Sequence, residues 1–591
     1  MILFRWLGIA LATILSVNSG YSQTTTKPNV VVILTDDQGW GDLSLHGNPN
    51  LSTPNIDAMA RDGAEVVNFY VCAVCSPTRA EFLTGRYHPR MGVHSTSTGG
   101  ERFNADEQTI AEFFRDAGYA TAAYGKWHSG MQYPYHPNAR GFEDFYGFCS
   151  GHWGNYFSPM LEHNGRLVQG DGFLVDDLTT RAIEFIDEHR NQPFFVYLPL
   201  NTPHSPMQVP DPYWEKFENK TIVPDPAPEN QKRQNLTHTR AALAMCENID
   251  ANVGRLIDHL EELKIADNTI VVYFCDNGPN GSRFNGGLRG RKGSTFEGGL
   301  RSPCLIRYPQ KVPGGTKVNQ ISAAIDLLPT LADFAGIAPA PTKPLDGISI
   351  APLLHGKQID WSDREIFSVW NNKVTVRTER FRKQLGGPLH DIASDPRERT
   401  DLAEEKPKVA ARLEKAMKQW VAETKPRSSR DPETRPFNLG HPDAIFTQLP
   451  ARDATPHGKI VRSNRFPNCT FMTEWTNTED QITWELEVLG EGKYEVEMYY
   501  ACPDSSVGTM LELALGDEII RASIEQANES PLSGMQDDRF KRVEGYVKDW
   551  KPMKLGVIEL KPGPATLTLR ASKMTGPEVA DMRLLLFRKL P

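Results

Sequence analysis

The chain has 591 residues, 39% of them hydrophobic and 24% charged, with a formal net charge of -9 and a sequence pI near 6.0. This length exceeds what one hydrophobic core usually organises, so at least two domains are expected. The acidic balance argues against nucleic acid as a partner, because a nucleic-acid-binding face would be basic. It does not exclude an anionic substrate, since a few cations in a cleft can dominate the local field.

Residues 1–22 have the features of a cleaved secretory signal peptide. Arg5 supplies a positive charge, an apolar run extends from Leu7 to Val17, and small residues precede a cleavage site near Gln23. The run is shorter than the roughly 20 residues that a membrane-spanning helix needs, so no stable membrane insertion is expected. The sequence therefore predicts a secreted or periplasmic protein.

Between residues 23 and 344, short apolar runs alternate with helical patterns. Asn29–Thr35 shows no polar alternation, as expected for a strand buried on both faces. Thr53 is predicted to cap a helix that has Pro54 at its first position and ends at Gly63. This alternation predicts a mixed β-sheet covered by helices on both faces. The further predicted elements are helix Thr109–Ala117, strand Tyr119–Tyr124, helix Asp176–His189, strand Phe194–Leu200, a helix over Ala242–Leu260 and strand Thr269–Phe274.

The remaining chain changes character twice. Residues 345–424 are predicted to form a smaller unit of strands with one helix over Pro407–Val421. Residues 425–443, rich in Pro, Arg and Ser, are predicted to be a linker. From residue 444 to 591 the apolar residues alternate with period two, as in Trp484–Val488 and Tyr494–Tyr500. This pattern predicts a separate antiparallel β-sandwich domain with those aromatic residues in its core.

The eight cysteines are few for a chain of this length, so it is not a disulfide scaffold. Some could pair in an oxidising compartment, and Cys469 with Cys502 is one plausible pair. The sequence leaves the connectivity open.

The most specific chemical signal is CSPTRAEFLTG at residues 75–85. A lone cysteine before a proline would usually be a core residue, but the whole pattern resembles the maturation signature of the formylglycine-dependent sulfatases. These are the type I, arylsulfatase-like enzymes of the alkaline-phosphatase-like superfamily. The resemblance implies that a formylglycine-generating maturation enzyme oxidises Cys75 to an aldehyde, whose hydrate is the nucleophile.

An aldehyde hydrate suits this chemistry because it carries two hydroxyls on one carbon. One hydroxyl attacks sulfur, and the other later loses its proton so that sulfate is expelled and the aldehyde returns. A serine would leave a stable sulfate ester that needs a second attack at sulfur. Covalent catalysis thereby divides the reaction into two easier steps.

Oxygen ligands follow two of the predicted buried strands. Asp36 and Asp37 come after the first strand, and Asp276 and Asn277 follow a later one. Open α/β sheets place their ligands at the carboxyl ends of strands, and four oxygen donors suit a hard cation. The resemblance implies that these four residues bind Ca²⁺ together with the modified Cys75.

Cations and histidines complete the resemblance, in segments reading GKWH, PHSP and GRK. The resemblance implies that Lys126 and Lys292 contact the sulfate and that Arg79 supports the modified Cys75. His128 would be the base near the hydrated aldehyde. His204 would face the bridging oxygen of the bound substrate and protonate the leaving alcohol. Together these groups would stabilise the charge that develops when a sulfate ester is cleaved.

The resemblance covers about residues 28–420. It implies an alkaline-phosphatase-like central mixed β-sheet flanked by helices, with a small C-terminal subdomain. Two positions depart from the common family pattern: Ser129 stands where a leucine is frequent, and His390 where a tyrosine is. Neither belongs to the catalytic set. The predicted β-sandwich lies outside the resemblance, with a carbohydrate-binding role as one interpretation.

Two other functions remain open at this point. One is a phosphatase or phosphonate monoester hydrolase of the same superfamily, and the other is an unmatured sulfatase-like protein that binds glycans. A secreted sulfatase with an added β-sandwich favours sulfated polysaccharides or oligosaccharides as substrates, with the sugar and the exo or endo action undetermined. The candidate residues of the substrate pocket are His152, Trp153, Asn155 and Tyr156. A purely structural aromatic loop explains these four residues at least as well.

Overall fold

The computed structural model describes residues 27–338, 341–361 and 364–591. The predicted signal peptide, residues 1–22, lies outside the described residues. In the three described ranges, no helix combines the length and the apolar character that crossing a membrane requires.

The α/β domain and the subdomain after it contain the first strands and all the α-helices of the described chain. The strands are β1 (Asn29–Thr35), β2 (Ala64–Val66), β3 (Phe69–Tyr70), β4 (Ala120–Lys126), β5 (Asp144–Phe148), β6 (Met160–His163), β7 (Arg166–Gln169), β8 (Phe194–Pro199), β9 (Thr269–Cys275), β10 (Arg301–Ser302), β11 (Cys304–Arg307), β12 (Thr316–Val318), β13 (Ser322–Ala323), β14 (Ile366–Trp370), β15 (Lys373–Arg377), β16 (Phe381–Gln384) and β17 (Leu389–Asp391). The helices are α1 (Pro54–Asp62), α2 (Cys75–Thr84), α3 (Ile110–Asp116), α4 (Leu174–His189), α5 (Asp211–Phe217), α6 (Pro228–Gln231), α7 (Leu236–Glu262), α8 (Glu297–Leu300), α9 (Leu327–Ala335), α10 (Ala351–Leu354) and α11 (Pro407–Thr424).

Within the described residues, ten strands form the central sheet in the order β12-β2-β11-β9-β1-β8-β4-β5-β6-β7. Strand β1 is parallel to both β8 and β9, whereas β11 is antiparallel to β9, so the sheet is mixed as predicted. Val30 and Val32 enter the core on one face, and Val31 and Ile33 enter the core on the other. Burial on both faces explains why β1 shows no polar alternation.

The C-terminal subdomain has an antiparallel sheet in the order β14-β15-β16-β17, against which α11 packs. Leu413, Met417 and Trp420 of α11 share a buried cluster with Val374 and Val376 of β15. The predicted helix is therefore confirmed, and its apolar stripe holds the subdomain together.

The C-terminal part is an antiparallel β-sandwich, hereafter the sandwich domain. Its sheets have the orders β18-β23-β28-β25-β26 and β21-β22-β29-β24-β27, with β20 and β19 at their sides. Trp484 and Tyr494 are buried between the sheets, as predicted. The turn between β23 and β24 carries the chain from one sheet to the other. The strands are β18 (Phe437–Leu439), β19 (Phe446–Pro450), β20 (Thr455–His457), β21 (Val461–Arg462), β22 (Met472–Thr473), β23 (Gln481–Val488), β24 (Gly492–Ala501), β25 (Met510–Leu515), β26 (Glu518–Ser523), β27 (Lys551–Leu560), β28 (Gly563–Lys573) and β29 (Asp581–Lys589).

The sandwich domain packs directly on the α/β domain. Arg452, 1% exposed, has its guanidinium 3.2 Å from the carboxylate of Glu101. Gln208 Nε2 donates to the carbonyl oxygen of Gly534 at 2.7 Å. Strand β18 lies inside the predicted linker and pairs in parallel with β23, so part of that segment belongs to the sandwich.

Three local expectations differ from the structure. Thr53 stands before α1, but its hydroxyl donates to Asp57 Oδ1 and does not cap the backbone. Strand β4 continues to Lys126, because its last residues remain paired with β5. Cys469 and Cys502 do not pair, since all eight cysteines are free and these two contact different carbonyl groups.

Candidate active site

The carboxyl ends of β1 and β9 meet at one edge of the central sheet. Because the two strands are parallel and in register through Thr35 and Cys275, the residues that follow them are neighbours. The Asp37 backbone N–H donates to Asp276 Oδ1 at 3.1 Å, and Asn277 Nδ2 donates to Asp37 Oδ1 at 2.8 Å. With Asp36, all four predicted ligand residues are fully buried.

Cys75 is the first residue of α2, so its thiol lies at the helix N-terminus, where the helix dipole favours negative charge. Arg79 lies one turn further along the same face. Its guanidinium donates to Asp276 Oδ2 and to the Lys126 carbonyl oxygen, both at 2.8 Å. This guanidinium therefore joins α2 to the ends of two strands of the central sheet.

Two lysines pair with the two adjacent carboxylates. Lys126, the last residue of β4, has its Nζ 2.6 Å from Asp36 Oδ2 and is fully buried. Lys292, in the loop before α8, has its Nζ 2.6 Å from Asp37 Oδ1 and keeps 21% of its side chain exposed. The site thus presents ammonium groups beside a cluster of oxygen ligands.

Two histidines border this cluster. His204 Nε2 lies 3.5 Å from Asp37 Oδ2, and His204 Nδ1 lies 2.7 Å from the Ser205 carbonyl oxygen. His128, fully buried, places Nε2 2.8 Å from the Thr96 carbonyl oxygen, and its Nδ1 has no hydrogen-bond partner among the described residues. Each imidazole therefore has one nitrogen fixed by the backbone and another available within the site.

Burial and local charge together set the ionisation of the cluster. Burial raises the pKa of Asp36, but Lys126, His204 and Arg79 outweigh that effect and hold the pKa below its ordinary value. Burial, aided by the charge of Asp36, raises the pKa of Asp276 to about 7. The carboxylates repel each other, and a bound cation would relieve that repulsion.

The residues fit a hard cation. Asp36 Oδ1 and Asn277 Oδ1 are buried without hydrogen-bond partners among the described residues, which is costly unless something else satisfies them. Ligand atoms of Asp36, Cys75 and Asp276 lie within 4.8 Å of one another. Carboxylate and amide oxygens at such spacing are the donors that Ca²⁺ prefers.

Comparison with known families identifies this arrangement. The family model described as Sulfatase matches residues 28–337. The chain belongs to the sulfatase family. A second model, described as N-sulphoglucosamine sulphohydrolase, C-terminal, matches residues 291–425. This sulfatase is therefore a sulfuric ester hydrolase with the alkaline-phosphatase-like fold that the sequence predicts.

Several known proteins are similar to this sulfatase. N-acetylgalactosamine-6-sulfatase of Canis lupus familiaris is 30% identical over 384 residues, covering 59% of this chain and 69% of that protein. Arylsulfatase G of Rattus norvegicus is 31% identical over 387 residues, covering 56% of this chain and 69% of that protein. The crystal structure of Ps i-CgsB in complex with k-i-k-neocarrahexaose has a TM-score of 0.62 and 29% identity, covering 68% of this chain and 94% of that one.

The structure of this sulfatase brings the sequence-predicted site residues together at one edge of the sheet. Those residues are Asp36, Asp37, Cys75, Arg79, Lys126, His128, His204, Asp276, Asn277 and Lys292. Among the predicted pocket residues, His152 stacks on His204 with ring centroids 6.0 Å apart. Tyr156 is fully buried, and its hydroxyl donates to the Ser205 carbonyl oxygen at 2.9 Å, so Tyr156 supports the loop of His204.

Two further residues of the site were not assigned a role from the sequence. Both polar side-chain atoms of Asn201, 1% exposed, lack partners among the described residues. Asn201 stands two residues before the PHSP segment, and this proximity to the motif could have indicated it from the sequence. Glu544 of the sandwich domain accepts a hydrogen bond from Ser205 Oγ. No sequence signal marked Glu544, because it is remote from every motif.

Proposed function

We propose that this protein is a calcium-dependent, formylglycine-bearing sulfatase that acts on sulfated glycans outside the cytoplasm. The observation that carries the proposal is the convergence of Cys75, at a helix N-terminus, on Asp36 and Asp276 within one buried cluster. Conversion of Cys75 to formylglycine by a maturation enzyme would supply a geminal-diol nucleophile. A Ca²⁺ ion held by Asp36, Asp37, Asp276, Asn277 and the modified Cys75 would supply Lewis-acid polarisation.

The protein's own residues would bind and orient the sulfate. Lys126 and Lys292 present fixed ammonium groups beside the cluster, so they would stabilise negative charge that grows on the non-bridging oxygens. Arg79 holds α2 against the ends of the strands and keeps residue 75 in place. Because these cations are ordered before substrate arrives, little reorganisation accompanies the reaction.

The two histidines would move protons at different atoms. His204 Nε2 would donate a proton to the bridging oxygen, which a departing sugar alkoxide needs. Burial lowers the pKa of His204, and Lys292 lowers it further. An anionic sulfate ester beside the imidazole would counter that effect and favour the protonated form. His128, whose Nδ1 has no hydrogen-bond partner in the described part of the chain, would accept the proton from residue 75.

Sulfated glycans are proposed as the substrate class on the strength of the relatives. The relatives include N-acetylgalactosamine-6-sulfatases and a structure in complex with k-i-k-neocarrahexaose. The anion-binding lysines suit the sulfate group, whereas the sugar must be recognised by residues around the mouth of the site. The predicted signal peptide supports export to the outside of the cytoplasm, where such glycans are found.

A comparison of sulfate and phosphate monoesters tests the proposal. Nitrophenyl sulfate and a panel of sulfated mono- and oligosaccharides should be hydrolysed far faster than nitrophenyl phosphate or a phosphonate monoester. The reverse preference would support a phosphatase or phosphonate monoester hydrolase. Binding of sulfated oligosaccharides without turnover, together with an unmodified thiol at Cys75, would support a glycan-binding protein.

A further inference from the structure

A pocket lies between the α/β domain and the sandwich domain. Its empty volume is about 600 Å³, solvent at the mouth included. Pockets at domain boundaries with aromatic walls and a few polar groups are common ligand sites. The residues that line it include Trp153, Cys469, Lys548, Asp549, Trp550 and Arg583.

Two indoles and a guanidinium give this pocket its chemistry. Trp153 stacks on Phe148 with centroids 4.9 Å apart, and Trp550 packs edge-on against Phe471 at 5.2 Å. Both tryptophans remain half-buried, so part of each ring is open to the pocket. Arg583 lies 5.7 Å from the centroid of Trp153. Aromatic faces bind the apolar faces of sugar rings, and guanidinium groups bind sulfate or carboxylate through paired hydrogen bonds.

The charge of Arg583 is compensated only at a distance: Asp453 acts on it, but the Asp453 carboxylate pairs with Arg452 at 3.2 Å. Arg583 is 3% exposed, its Nη1 donates to the Thr470 carbonyl oxygen at 3.0 Å, and no carboxylate of the described residues forms an ion pair with it. Burial raises the pKa of the neighbouring Cys469 thiol to about 11, so Cys469 supplies no anion at neutral pH. A buried cation without an anion is costly, which favours a bound anionic group.

The other charged residues of the pocket do not cancel this excess. Lys548 has its Nζ 2.6 Å from Asp581 Oδ2, so that pair is neutral overall. Asp549 is exposed to solvent, where its charge is screened. The buried end of the pocket therefore stays positive around Arg583.

The pocket adjoins the segment that carries His152, beside the proposed general acid His204. Trp153 follows His152, whose ring stacks on that of His204. His152 is itself tied to the sandwich domain, since Cys469 Sγ donates to its carbonyl oxygen at 3.0 Å and Asn468 Nδ2 lies 3.4 Å from its Nδ1. His152 Nε2 is buried without a partner among the described residues. A glycan whose sulfate lies beside His204 would continue past His152 toward the pocket.

We infer that this pocket binds a second sugar residue of the substrate, one that carries its own sulfate or carboxylate. The inference rests on the proposed sulfatase function and adds a requirement for a longer, multiply charged glycan. The sandwich domain contributes Trp550 and Arg583, and both lie beyond residue 425, where the family matches end. The sandwich domain is thus part of the substrate site and gives this sulfatase a preference that the family fold alone does not supply.

Steady-state kinetics on substrates of increasing length test the inference. The substrates are nitrophenyl sulfate, monosulfated monosaccharides, and tetrasaccharides. In the tetrasaccharides, the neighbour of the sugar that carries the scissile sulfate is a neutral sugar, a sulfated sugar or a uronate. The wild type should prefer tetrasaccharides with a charged neighbour, and the sulfate and uronate arms identify which anion it takes. Trp550→Ala and Arg583→Gln should raise KM for the preferred tetrasaccharide about tenfold, as loss of a buried anchor usually does.

The effect of the variants must be confined to the longer substrates. Phe466→Ala is the matched control, because Phe466 is an aromatic residue of the sandwich domain that is 38% exposed and does not line the pocket. If Arg583→Gln melts at a much lower temperature than the wild type, the test depends on Trp550→Ala, because Trp550 is partly exposed. Equal effects of Trp550→Ala on all substrates, or a wild type indifferent to length and to neighbouring charge, would overturn the inference. A wild type inactive on every sulfate ester would instead refute the proposed function.

Discussion

Ser205, the residue after His204, donates a hydrogen bond through its Oγ to Glu544 of the sandwich domain. The carbonyl oxygen of Ser205 lies 2.7 Å from His204 Nδ1 and accepts a hydrogen bond from the Tyr156 hydroxyl at 2.9 Å. The loop that carries His204 is therefore held from both domains. Glu544 acts on the proposed general acid through this loop and is a positioning residue.

Replacing Glu544 should weaken the alignment of His204. Glu544→Ala leaves Ser205 Oγ without its acceptor, and losing a hydrogen bond to a charged group costs about 1.5–3 kcal/mol, or roughly tenfold or more in rate if fully expressed in catalysis. We expect a lower kcat on a sugar sulfate with KM little changed, and a smaller loss on nitrophenyl sulfate. Glu544→Gln keeps an acceptor oxygen and should restore most of the rate. The exposed Glu559→Ala serves as the control; a raised KM with unchanged kcat would contradict the positioning role.

Cys75→Ala should abolish turnover, because the side chain proposed to become the nucleophile is removed. In a host with maturation machinery, mass spectrometry of the peptide containing residue 75 should show the mass loss of thiol-to-aldehyde conversion. Cys72→Ala, three residues away, is the matched control and should leave that conversion intact. Cys75→Ser should also be inactive unless the host oxidises serine. Fully active protein with only the unmodified thiol would refute this mechanism.

Removing a carboxylate from the cluster should remove the metal. Asp36→Ala and Asp276→Ala each delete a buried oxygen ligand of the proposed metal. The first leaves Lys126 without its ion partner, and the second removes the nearer of the two carboxylates that pair with Arg79. We expect less than one calcium per protein by elemental mass spectrometry and a loss of several orders of magnitude in rate. Asp333→Ala, an exposed position on α9, should retain full calcium content. Stoichiometric zinc or iron in place of calcium in active protein would be inconsistent with this assignment.

His204→Ala should discriminate between substrates by the basicity of their leaving groups. A sugar alkoxide needs a proton as the sulfur–oxygen bond breaks, whereas nitrophenolate needs little help, so the sugar sulfate should lose about 10²–10⁴-fold and nitrophenyl sulfate much less. His128→Ala should slow both substrates alike, because the proton that His128 is proposed to accept belongs to residue 75. Equal losses for His204→Ala on both substrates would indicate a binding role. If His128→Ala, and not His204→Ala, selectively slowed the sugar sulfate, the roles of the two histidines would have to be exchanged.

Much of the catalytic centre was predictable because its determinants are local. A strand buried on both faces, such as β1, shows itself by an unbroken apolar run, and the polar residues that follow must then lie at a sheet edge. That position and the resemblance to the sulfatases led to the assignment of Asp36 and Asp276, and the structure brings them together within one cluster. The mixed sheet and the two-sheet sandwich were likewise evident from the period of the apolar residues.

The sequence by itself determined the family, the fold class and the group of residues that surrounds Cys75. Only the tertiary structure decided that Cys469 contacts His152 and does not pair with Cys502, that Glu544 binds the loop of His204, and that Trp550 shares a pocket with Trp153. The physical reason is that apolar periodicity specifies which face of an element is buried. It does not specify which distant element covers that face. That choice depends on how whole domains pack, here on buried contacts such as Arg452 with Glu101, which are 351 residues apart in the chain.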